Sequence, residues 1–160
     1  MTVPIYACRL TGELHTDVPP AEADKYMVSY VDEAVRDRAL RRQFSELVGA
    51  ERDRRESRGT TITLDDGMSI PLRGRPKDQS DLTALGIAAQ GRIAAGDVTP
   101  FEYRDRDNVI RALTPAQMQE LFAKGVAWVT AVRKASWGIK DAYPGHDDDW
   151  RDDHHWPDGD

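Results

Sequence analysis

The chain has 160 residues, enough for one ordinary domain or a compact module with an extended arm. Hydrophobic residues make up 39% and charged residues 31%, and no stretch approaches the roughly 20 apolar residues that cross a bilayer. The net charge is −6, with no basic footprint for nucleic acid, so composition argues against both membrane and nucleic-acid partners.

Residues 1–19 are poor in helix signals. Val3, Ile5, Tyr6 and Leu10 suggest an extended arm or edge strand, punctuated by Pro4, Gly12, Pro19 and Pro20. Such an arm has no core of its own and is expected to lie on another surface, in this chain or a partner. MTVPIYACRL lacks a basic start followed by an apolar run, so no secretory signal is expected. Cys8 is the single cysteine, which excludes an internal disulfide. In its strand-like stretch it reads as a small buried apolar residue rather than a nucleophile.

Residues 20–58 read as a helical segment. Pro20 suits a first turn, and Glu22 and Asp24 suit the positive end of the helix dipole. Met27, Tyr30, Val31, Ala34 and Val35 form one apolar stripe; Leu40, Phe44, Leu47 and Val48 form a second. The phase shifts around Arg36 to Arg38, which leaves open two helices or one that changes contacts. AERDRRESR has almost no apolar face and reads as a solvated helix end. A narrow stripe such as Met27, Val31, Val35, Leu40, Phe44 and Leu47 favours self-association, with a homo-trimer expected.

Residues 59–142 repeat one pattern twice: a β-hairpin, then an amphipathic helix. TTITLDDGMSIPL alternates with period two across Asp66-Gly67, and PFEYRDRDNVIRAL turns near Arg106 to Asn108. The helix after the first hairpin is expected to be capped by Ser80 or Asp78 and to end at Gly96. Its alanines and glycines suit close helix approach. Thr114-Pro115 with Gln117 is a capping box, opening a helix to about Asp141 that carries Met118, Leu121, Phe122, Val126, Val129, Val132 and Ile139. The expected fold is α+β: a long N-terminal helical segment, projecting from a small module of two β-hairpins alternating with two helices. The hairpins pack against those helices, and joining them into one small sheet would help, because an isolated hairpin is marginal in water.

Residues 143–160 form an acidic His/Trp tail. Seven aspartates against Arg151 give it a net −6, so the rest of the chain is neutral. HDDDWRDDHHW, His146 to Trp156, is the obvious metal suspect. The preferred reading is instead a docked tail, with Trp150 and Trp156 as interface anchors on a neighbouring chain and the aspartates facing basic side chains. Trp128 and Trp137 read as packing or anchoring residues. Asp65, Asp66, Asp105 and Asp107 are explained by turn chemistry. No P-loop, dinucleotide fingerprint, zinc-protease helix or nucleophile elbow is present.

The stretches ITLDDGMSIPL, DLTALGIAAQGRIAAG, PFEYRDRDNVIRAL and TPAQMQELFAKGVAWVTAVRKASWGIKDA follow one another in an order that resembles an uncharacterised domain of bacteriophage and prophage tail proteins. That domain is associated with tail-fibre and tail-fibre-assembly proteins, and the resemblance covers about residues 60–142. Many members carry a tryptophan near the position of Tyr103, and this chain departs from them there. The resemblance implies a non-enzymatic structural or adaptor component of a virion tail, at the baseplate or fibre, made in the bacterial host cytoplasm. No catalytic, cofactor or metal residue is carried over. The expected partner-binding residues, read from the stripe and the tail, are Met27, Val31, Phe44, Leu47, Trp150 and Trp156. The alternatives are a tail-fibre-assembly chaperone and, from another class, a metal-dependent enzyme using the tail.

Overall fold

The computed structural model describes residues 6–8, 14–15, 27–29, 33–144 and 149–157, with side-chain surroundings from residue 37 onward. At the N-terminal end, β1 (Tyr6–Cys8) lies between β2 (Leu14–His15) and β3 (Met27–Ser29) in an antiparallel sheet. Tyr6 pairs with His15 and Ser29, and Cys8 pairs with Met27. The arm therefore pairs within this chain. The helix expected from Pro20 is corrected: Met27 stands in a strand, and α1 spans Glu33–Arg58 as one helix. A three-residue stretch such as Met27-Val28-Ser29 fits either period, and pairing with β1 decides it. Val31 lies outside the described residues.

The hairpin–helix repeat is present twice. β4 (Thr61–Thr63) pairs with β5 (Ser69–Pro71), placing Ile62 opposite Ile70 on the buried face. Thr63 and Ser69 face outward and their hydroxyls meet at 3.0 Å. Leu64 N–H donates to Met68 O at 2.8 Å, and Gly67 takes the left-handed turn position at φ 89°. In the second hairpin, β6 (Phe101–Arg104) pairs with β7 (Ile110–Leu113). Asp105 N–H donates to Val109 O at 3.0 Å, and Asn108 occupies the corresponding left-handed position at φ 63°.

Each hairpin feeds a helix that opens on proline: α2 spans Pro76–Ala95 and α3 spans Pro115–Asp141. Thr114 forms the expected capping box, its Oγ accepting from Gln117 N–H at 3.2 Å while Gln117 Oε1 accepts from Thr114 N–H at 2.8 Å. Gly96 ends α2 at φ 68°. The cap expected at Ser80 or Asp78 is corrected to Arg75, which caps with extended backbone and no side-chain bond. Ser80 lies inside the helix and donates back to Pro76 O, while Asp78 pairs with Arg75 at 2.7 Å.

The hairpins remain separate two-stranded sheets, tied by a bond from Arg106 N–H to Pro71 O at 2.9 Å. Both cover one core that includes Ile62, Leu64, Ile70, Phe101, Leu113, Met118 and Leu121. A second core joins Val48 of α1 to Val132 and Ile139 of α3 and to Trp150 and Trp156. The module therefore does not carry α1 as a projection. α1 packs along α3, and Arg133 bonds the buried Glu56 at 3.1 Å.

Candidate functional site

The tail is docked, but on its own chain. Trp150 and Trp156 are 5% and 4% exposed, packed in the second core with Val48, Val132 and Ile139. Phe44 packs against this core and meets the Trp150 ring edge-on at 5.6 Å. The expectation that these tryptophans anchor a neighbouring chain is corrected: their apolar surface is already used inside the molecule. Of the other expected partner residues, Leu47 is 51% exposed and remains available. Met27 belongs to β3, and its side chain lies outside the described surroundings, as does Val31.

The end of α1 expected to be solvated is what grips the tail. Arg55 donates to Glu51 at 2.7 Å, to Asp153 at 2.8 Å and to Arg151 O at 2.7 Å, and its guanidinium lies 4.9 Å from the Trp156 ring centre. The Arg54 bond holds the Glu51 carboxyl below its ordinary range against the opposing cost of burial, with Arg55 adding to the effect. Trp156 Nε1–H closes the tail on itself by donating to Trp150 O at 2.9 Å.

The same loop brings together three potential ligands. His155 Nε2 lies 3.3 Å from Asp149 Oδ1, and His154 Nε2 lies 3.7 Å from Asp149 Oδ2. The two imidazole rings are 3.8 Å apart. The suspect stretch HDDDWRDDHHW pointed to this chemistry, although His146, Asp147 and Asp148 lie outside the described residues.

A second feature was invisible in the sequence. A groove of about 220 Å³ runs between α2, α3 and the loop after β5, lined by Leu72, Leu82, Phe122, Val126 and Trp128, among others. Gly125 lets Leu72 and Leu82 close in, because a Cβ there would lie 3.2 Å from each. Arg73 also lines it, donating from Nη2 to two neutral oxygens, Arg106 O and Asn108 Oδ1. Val126 is 47% exposed at its wall. Its lining comes from segments far apart in sequence, so no local pattern announces it.

The turn acids have structural partners. Asp105 is fully buried and accepts from Asp107 N–H, Val109 N–H and Arg111 Nε. Burial pushes its carboxyl up, but these bonds outweigh it and leave it below the ordinary value. Asp66 accepts from Met68 N–H and from Gln117 Nε2. Burial pushes the nearby Tyr103 phenol up to about 12, so it stays protonated at neutral pH. Trp128 is half-buried against the second core, and Trp137 is 54% exposed.

No helix among the described residues is long and apolar enough to cross a membrane. A family model described as a domain of unknown function (DUF4376) matches residues 39–153. That span takes in α1 from residue 39 onward, both hairpin–helix repeats and the tail as far as Asp153. No curated protein and no solved structure matches the chain significantly.

Proposed function

The chain belongs to the family of the domain of unknown function DUF4376, and we propose that this member is a non-enzymatic adaptor of a bacteriophage tail, binding neighbouring virion proteins at the baseplate or fibre. The observation that carries a binding role is the groove beside α3. At about 220 Å³ it is smaller than the roughly 300–1,000 Å³ of small-molecule sites. It suits one or two side chains of another protein. Its apolar wall would take an aliphatic or aromatic anchor, and Arg73 would take a flanking carboxylate or backbone carbonyl. The tail reading itself draws support from the order of the four sequence stretches that resemble phage tail domains.

Exposed apolar side chains outside the groove, such as Leu47 and Trp137, add surface for contacts with tail proteins or with further copies of the chain. The expected trimer belongs to this proposal, and light scattering of the full chain tests it: a clean monomer at high concentration counts against it.

Mass spectrometry of purified particles tests the adaptor reading. The protein should be present in them, and Val126→Glu should reduce its incorporation without unfolding it. Presence during assembly but absence from finished particles would replace the adaptor with an assembly chaperone.

A further inference from the structure

Asp149, His154 and His155 each offer a ligand atom, and these atoms lie within 4.8 Å of one another. We propose that the three side chains form a binding site for a divalent transition-metal ion, with Zn²⁺ as the reference case, and that the ion clips the tail loop shut.

The geometry carries the proposal. Both Nε2 atoms face oxygens of the same carboxylate, at 3.3 and 3.7 Å. Ligand atoms held about 2.0–2.1 Å from a tetrahedral zinc stand roughly 3.3–3.4 Å apart. Both histidine–Asp149 distances are therefore close to coordinating values, and a small ring rotation would bring the two imidazoles to one ion. Two imidazoles and one carboxylate suit zinc, cobalt or nickel, whereas magnesium and calcium take shells of oxygen.

The frame is built independently of the ion. Asp149 precedes the buried Trp150, and His155 precedes the buried Trp156. The Trp156 indole bonds Trp150 O at 2.9 Å, Asp152 N–H donates to Asp149 O at 2.7 Å, and His155 N–H donates to Asp152 O at 3.1 Å. Packing thus holds the ligands near one another before an ion arrives, which lowers the ordering cost of binding. The Asp149, His154 and His155 side chains are 46%, 60% and 25% exposed. Water can fill the remaining coordination positions, so the ion should exchange with solvent.

The test is a calorimetric titration of Zn²⁺ into the full chain, with Mg²⁺ as the oxygen-preferring control. One Zn²⁺ should bind per chain, Mg²⁺ should not compete, and Zn²⁺ should raise the melting temperature. His154→Gln and His155→Gln should each weaken binding by at least about tenfold. The pair Asp147→Asn with Asp148→Asn removes nearby charge but no proposed ligand and should weaken binding far less than either histidine substitution. Absorbance of bound Co²⁺ gives a readout of imidazole ligation, and it should change in the His154→Gln variant even if His155→Gln proves unstable. The proposal is overturned if Zn²⁺ does not bind. It is equally overturned if affinity survives the histidine substitutions or follows Asp147 and Asp148 instead.

Discussion

Gly86 on α2 and Phe122 on α3 set how closely these helices approach: a Cβ at position 86 would lie 2.4 Å from Phe122 Cγ and 2.9 Å from its Cβ. Those atoms sit near the root of the side chain and cannot swing aside. Gly86→Ala gains about 1 kcal/mol of helix propensity but meets overpacking that costs about 1–3 kcal/mol. A thermal melt should show a net loss of stability. Gly91→Ala is the matched control, because a Cβ there meets nothing within 4 Å. It should raise the melting temperature.

Asp105 organises the second hairpin through two backbone amides and Arg111. Asp105→Ala leaves these donors unpaired and should cost about 1–3 kcal/mol in denaturant unfolding. The pH dependence follows from its lowered carboxyl. A group held below its unfolded value near 3.8 stabilises the fold fully above that pH, and this contribution is lost as pH falls through the folded value. Asp105→Asn should therefore flatten the acid limb of the stability profile.

Thr114 and Gln117 bond reciprocally at the start of α3. Thr114→Ala should destabilise the protein by about 1 kcal/mol. Hydrogen exchange should speed up most at the first turn of α3, while α1 and the tail stay protected.

Trp150 and Trp156 close the second core. Replacing either with alanine should cost about 3–5 kcal/mol, as for other buried aromatic truncations. Removing the chain from residue 145 onward uncovers Val48, Val132 and Ile139 and should increase light scattering through self-association. Raised salt should not release the intact tail, because indole burial holds it more than charge does.

Local signals made much of the module legible. Gly67, Gly96, the capping box and the period-two strands each act within a few residues, and each stands where its sequence implied. β3 was not legible, since its strand character depends on pairing with Tyr6–Cys8 about twenty residues away. Apolar periodicity also missed the grip of α1 on the tail, because Arg55, Glu51 and Asp153 supply it through charge. Trp150 and Trp156 were legible as anchors, but a sequence does not say whether the surface they bury belongs to the same chain. The groove needs Leu72, Leu82 and Phe122 brought together by the fold.

The clasp between α1 and the tail loop also bears on the order in which these segments are made. Arg41 reaches the carbonyl of Tyr143 across 102 residues, and Arg55 reaches that of Arg151 across 96. A ribosome delivers α1 well before the indoles that will cover Val48. The hairpin–helix repeats draw their shared core from Ile62 to Leu121 and can assemble once α3 has emerged, before the tail is made. The cover over α1 waits until Trp150 and Trp156 have emerged, so a nascent chain stalled before Trp150 exposes the apolar surface that those indoles hide.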